Sequence, residues 1–169
     1  KDALMVIRDA ELEELDQVAE VVASAYQEYA ALMPPDAWAM YLESIRDVRS
    51  RIEESDLIVV LQDGAIVGAA TFYPTRKRRA SLVWPADWTG IRLVAVSPQA
   101  RGQGLAKMLI EECIRRSREE VASAVGLHTT PLMPVAAAMY ERMGFVREPE
   151  FDFHPRPDMT VMAYKLLLS

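Results

Sequence analysis

Two glycines and an arginine separate an apolar run from a helical pattern in SPQARGQGLAKML, residues 97–109. A structural turn is satisfied by one glycine. Two of them ahead of a helix expose main-chain N–H groups and the positive end of a dipole, which together make an anion site. Glycine also lets a ligand approach with no Cβ in its way. Arg101 adds a fixed charge. The dipole alone contributes roughly 0.3–1 kcal/mol at exposed sites, so several N–H donors must share the binding. Walker A chemistry requires Lys-Ser/Thr, and Lys107 is followed by Met108. A dinucleotide fingerprint requires a third glycine or alanine where Lys107 stands and an acid ending the next strand, but Glu119 and Glu120 sit on a charged helix end. Both nucleotide readings fail.

Other residue types narrow the chemistry further. The single cysteine, Cys113, rules out an internal disulfide, lies on an apolar helix stripe and reads as packing. With two histidines, His128 and His154, no metal site is expected. A net charge of −6 argues against general nucleic-acid binding, which needs a basic face. No run of 18 apolar residues is present, so no membrane span is expected. KDALMVIRD lacks a secretory signal's apolar core, which suggests a cytoplasmic protein. Lys1 is not an initiating residue, so the natural start is expected upstream or at Met5.

The elements that must position the glycine stretch follow from periodicity. Residues 4–10 read as a strand and 11–30 as a helix, with Leu12, Leu15, Val18, Val22, Ala25, Tyr26 and Tyr29 at helical spacing. After Met33-Pro34-Pro35, a second helix is expected to about Glu54. Residues 57–74 read as two strands around Asp63-Gly64, a strong hairpin signal. A connection over 74–90 leads to a strand at 91–96. A helix follows the glycines, then a strand in SAVGLHTT and a short helix from Pro134 to Gly144. FVREPEFDF and MTVMAYKLLL read as closing strands joined by the loop HPRPD. With 169 residues, 51% of them apolar and 26% charged, this is one mixed α/β domain over 1–169: helices on a mixed sheet.

The motif Arg101-Gly102-Gln103-Gly104-Leu105-Ala106, after a strand ending LVAVSP and opening a helix, resembles the coenzyme A pyrophosphate loop of the GNAT superfamily of N-acetyltransferases. LHTTPLMPVAAAMYERMGF (127–145) is similar to the family's later strand and helix, with a tyrosine ahead of Glu-Arg-x-Gly-Phe. The resemblance covers nearly the whole chain. It implies a mostly antiparallel sheet whose central strands splay apart, flanked by about four helices, and acetyl-CoA as co-substrate with no metal. By it, main-chain groups of Val94, Ala95 and Val96 hold the pantetheine arm, and amides of Gly102 to Ala106 with Arg101 hold the diphosphate. Arg142 is a candidate for the adenosine 3′-phosphate. Tyr140 falls at the tyrosine beside the coenzyme sulfur, where a phenol donates to the leaving thiolate. The reaction implied is direct attack by a primary amine, of a small molecule or a peptide.

Two positions depart from the family. Met133 stands where many members have asparagine, and Gly90 where many have a basic glutamate at the start of the central strand. An amine of pKa about 10.4 needs roughly 4.6 kcal/mol to be presented neutral at pH 7, so something must accept its proton. Glu28, Asp152 and His154 are candidate acceptors. His128 reads as a core or cleft-lining residue, and Met33, Trp38 and Trp88 as acceptor-side walls. The basic run TRKRR (75–79) reads as a solvated loop by default, or as a patch for an acidic acceptor. The alternatives to an acetyltransferase are a coenzyme-binding module with a decayed acceptor site, or a transferase for another acyl group. The apolar final strand leaves room for pairing in a homodimer.

Overall fold

In a computed structural model, which describes residues 4–77 and 83–168, the chain runs β1 (Met5–Asp9), α1 (Leu15–Tyr26), α2 (Pro35–Arg46), β2 (Asp56–Gln62), β3 (Ala65–Tyr73) and β4 (Trp88–Val96). It continues α3 (Leu105–Glu119), β5 (Ala124–Thr129), α4 (Pro134–Arg142), β6 (Val146–Arg147), β7 (Phe153–Arg156) and β8 (Met159–Leu167). The eight strands form one open sheet in the order β1-β2-β3-β4-β5-β8-β6, with β7 also on β8. Every pairing is antiparallel except β4 with β5. The mixed, single-domain architecture expected from periodicity is what the chain adopts.

Several boundaries differ from those expected, each for a local reason. The first helix tightens to 3-10 geometry over Gln27–Leu32 and stops, because Met33 precedes proline and is extended at φ −126° and ψ 150°. The second helix ends at Arg46 rather than Glu54. There the Arg51 guanidinium donates to the carbonyls of Ser44 (2.8 Å) and Ile45 (3.0 Å), occupying the open helix end. β4 begins at Trp88 rather than Ile91. FVREPEFDF is not one strand: a 3-10 turn at Pro149–Phe151 splits it into β6 and β7. HPRPD is mostly β7 rather than loop, with Pro155 tolerated on a short outer strand. β8 is paired on both sides, by β5 and by β6 and β7, so the final strand is not a free edge.

The β4–β5 ladder is short. It pairs Trp88 with Ala124 through Ile91 with Leu127 and then ends, so Arg92 to Val96 diverge from β5. On the other side β4 is bulged against β3: Ala69 faces Ala95 and Thr71 faces Arg92, an extra residue in β4. The bulge is taken up at Leu93, at φ 54°. Ile91, Val94 and Val96 pack toward the core under α3 and α4, whereas Leu93 and Ala95 pack toward α1 and α2.

Candidate functional site

Where β4 leaves β5, a cleft of about 610 Å³ opens between the end of α1, the half of β4 from Val94 to Val96, the first turn of α3 and the start of α4. Its floor is the glycine stretch. Gly102 (φ 82°) and Gly104 (φ 75°) are left-handed, and a Cβ built on either meets nothing within 4 Å. The bareness therefore serves backbone shape and open access, not close packing. Among the described residues, the N–H groups of Gly102, Gly104, Leu105 and Ala106 have no hydrogen-bond partner, and no side chain caps α3. These residues line the cleft, with the dipole of a 15-residue helix behind them.

The structure brings Val94, Ala95, Val96, Arg101, Gly102, Gly104, Leu105, Ala106, Tyr140, Arg142 and Glu28 together on this cleft. Arg101 is not a free charge: it donates to the Ala25 carbonyl (2.8 Å) and pairs with Glu28 (3.0 Å). The arginine thereby ties the glycine stretch to the end of α1. Gln103 does not line the cleft. Its side chain bonds Gln62 (2.7 Å) and the Ala100 carbonyl (3.2 Å) and braces the loop.

Tyr140 closes the opposite wall, 7% exposed, with its ring 6.0 Å from Phe145. Its hydroxyl has no hydrogen-bond partner among the described residues. Burial pushes its pKa well above the usual phenol value, so it stays protonated throughout the neutral range. Tyr26 also reaches the cleft and donates to the Val94 carbonyl at 3.1 Å, which fixes β4 beyond its bulge. Cys113 is fully buried, and that burial pushes its thiol up, consistent with packing.

The acceptor-side candidates separate. Met33, Trp38, Trp88, His128, Asp152 and His154 are not on the cleft wall. Trp38 packs with Tyr41 (6.1 Å) over α1. Asp152 is engaged by both guanidinium nitrogens of Arg147 at 2.7 Å and by the Ala163 N–H, and Arg147 holds its carboxyl low. His154 is exposed, with Nδ1 3.2 Å from the Thr160 hydroxyl. His128 donates from Nε2 to the Phe151 carbonyl (2.9 Å), leaving Nδ1 as its acceptor, and burial pushes its pKa down. In the basic run, Arg76 and Lys77 pair with buried Asp56, while Arg78 and Arg79 lie outside the described residues.

Sequence reasoning missed what fills the place of the expected glutamate. The indole of Trp84 lies across Gly90 and Gly126, which face each other on β4 and β5. A Cβ on Gly90 would stand 3.0 Å from Trp84, and one on Gly126 only 2.6 Å. Trp84 is stacked in turn on His128 (4.5 Å) and Trp88 (5.7 Å), with Phe151 edge-on at 5.5 Å. The missed signal is the pair of strand-interior glycines, which often marks a close approach. Lys107 was missed as well: it lines the cleft and a neighbouring groove of about 530 Å³ with Arg115, Arg118 and Arg142.

Comparison with known proteins agrees with this fold. The model of the Acetyltransferase (GNAT) family matches residues 16–145. Among curated proteins, mouse "Probable N-acetyltransferase family 8 member 5" is 41% identical over 54 residues, which is 32% of this chain and 24% of that protein. The chain thus spans about a quarter of that relative's length. Among solved structures, PaiA N-acetyltransferase from Thermoplasma acidophilum in complex with coenzyme A superposes with a TM-score of 0.72 at 15% identity, covering 95% of this chain and 98% of the other. A GNAT family acetyltransferase from Brucella melitensis in complex with acetyl-CoA gives 0.63 at 19% identity, covering 98% and 89%. The ribosomal-protein-S18-alanine N-acetyltransferase of Escherichia coli gives 0.67 at 17%, covering 98% and 95%. At these identities the structures establish a shared fold.

Proposed function

Because this chain belongs to the GNAT acetyltransferase family, we propose that it moves an acetyl group from acetyl-CoA to a primary amine by direct attack within a ternary complex. The observation that carries the reading is the set of unpartnered amides of Gly102, Gly104, Leu105 and Ala106 lining the cleft. A diphosphate fits them: the donors are unpartnered, the two glycines leave open space, and Lys107 and Arg142 line the same cleft. The diverging half of β4 offers main-chain groups at Val94 to Val96 to an extended pantetheine arm, as an added strand would use them.

The thioester supplies the acyl group, and the protein supplies placement and a proton. Main-chain N–H groups on β4 polarise the carbonyl. Walls from α1, β4 and α4 hold amine and thioester at reacting distance. Tyr140 donates a hydrogen bond to the departing sulfur. With its pKa raised, full proton loss is uphill, so transfer accompanies bond cleavage rather than preceding it. The amine's own proton passes to His128 or Glu28, directly or through water. His128 is neutral at pH 7 with Nδ1 available, whereas Glu28 is held by Arg101.

Trp84 over Gly90 favours a second reading, a coenzyme-binding module without acceptor catalysis, because the indole stands in the space a carboxylate side chain at 90 would enter. Calorimetric titration with coenzyme A and acetyl-CoA tests the shared premise. Free-thiol release across small-molecule and peptide amines then separates the readings: release supports the transferase, and tight binding without release supports the module.

A further inference from the structure

The acceptor face of the split sheet carries an unpaired cation. Arg92 follows Ile91, the last β4 residue paired with β5, and sits opposite Thr71 of β3. It is exposed, and among the described residues no carboxylate pairs with it. Strand alternation places it on the face of Gly90, and therefore of Trp84 and His128, rather than on the α3 face of Ile91. Its charge bears on Tyr41 of α2 and on His128 of β5. It also bears on Arg51, whose guanidinium is spent on the carbonyls of Ser44 and Ile45. Two arginines thus share this face with aromatic rings; Asp47 bears on Arg51 and Asp152 on His128, but neither pairs with Arg92 among the described residues, in a chain whose net charge is −6.

Among the described residues the other strand-borne arginines each have an acid to hold: Arg8 has Glu14, Arg147 has Asp152 and Arg156 has Asp158. Arg92 is the exception, and it stands beside the gap where acyl transfer is placed. We propose that Arg92 selects the acceptor: the amine substrate carries a carboxylate, which the guanidinium binds while the aromatic rings of the same face take up an apolar group. This rests on the transferase reading above and names its substrate class. The carboxylate must lie a few bonds from the amine, as in an amino acid or a short peptide. Arginine suits the task because its planar fork meets a carboxylate with two parallel hydrogen bonds.

The test uses matched acceptors, L-phenylalanine against L-phenylalaninamide and the dipeptide Gly-Phe against its amide, with thiol release as the readout. The wild-type protein is expected to prefer the acid of at least one pair. Arg92→Met should lower the acid-to-amide ratio of kcat/KM roughly 10- to 100-fold, the range for a lost charged hydrogen bond. Arg92→Lys should restore part of it. A second readout needs no turnover: N-acetyl-L-phenylalanine should bind the coenzyme A-saturated protein more tightly than its amide does, and Arg92→Met should erase the difference. Equal use and equal binding of acid and amide by the wild type, or a ratio unmoved by Arg92→Met, overturns the proposal. Failure of the transferase reading looks different: coenzyme A does not bind, or binds with no thiol released for any amine.

Discussion

The contact between Trp84 and Gly126 yields the most quantitative prediction. An alanine methyl at 126 would sit 2.6 Å from two atoms of the indole and 2.8 Å from a third, about 1 Å inside ordinary contact. The ring cannot simply retreat, because Trp88, His128 and Phe151 hold it on other sides. Overpacking of this kind costs about 1–3 kcal/mol, and loosening the stack on His128 adds roughly 0.5–1.5 kcal/mol. Gly126→Ala should therefore destabilise by about 1.5–4.5 kcal/mol, read as a lower urea midpoint at unchanged slope. Trp84→Ala alone should cost about 3–5 kcal/mol through the cavity it leaves. In that background the added methyl has room, so the double variant should show a coupling of about 1–3 kcal/mol. Gly126→Ala within about 0.5 kcal/mol of wild type, or strict additivity with Trp84→Ala, would refute the wedge and reopen the space over Gly90 for other chemistry.

Gly104→Val forces a branched residue into left-handed backbone at a cost of roughly 1–2 kcal/mol and adds bulk to an open surface, so coenzyme A titrated calorimetrically should bind at least tenfold more weakly. Tyr140→Phe should leave that binding intact and lower kcat, within the roughly 100-fold or greater range of a lost proton donor; unchanged turnover would remove Tyr140 from the chemistry. Glu112, held down to about 2 chiefly by its hydrogen bond to Arg115, contributes stability that is present above pH 4.5 and lost as pH falls toward 2. Urea unfolding at pH 7 and pH 3 should accordingly show a smaller pH-dependent loss for Glu112→Gln than for wild type.

The parts of the site legible in the sequence are those set by local chemistry. Gly102 and Gly104 declare left-handed turns, and Pro134 and Gly144 bracket a short helix, because each acts on its own backbone. Asp63-Gly64 likewise turns at φ 50° and 86°. What could not be read depends on partners far along the chain. Nothing in Leu93 announces a bulge, since no glycine or proline marks it. Arg101 reads as an anion ligand until the fold brings Ala25 and Glu28 to it. Asp152 reads as a free base until Arg147 is folded against it. The glycines at 90 and 126 are meaningful only as a pair, once strand pairing sets them side by side beneath one indole.

The bulge at Leu93 explains how one strand serves both faces of the site. Strict alternation from Ile91 would send Leu93 and Ala95 under α3 and turn Val94 and Val96 toward α1. The inserted residue reverses this: Arg92 and Leu93 fall on the acceptor face in succession, and every later side chain changes sides. Val94 and Val96 then join the core beneath α3, while the small Ala95 lies against α1. Tyr26 holds the shifted backbone through the Val94 carbonyl. The same insertion bends β4 locally, as bulges do, and it begins at the first residue beyond the last β4–β5 pair. Parting of the strands and reversal of the side chains are thus one event in the backbone, which sets the cleft on one side of β4 and the unpaired arginine on the other.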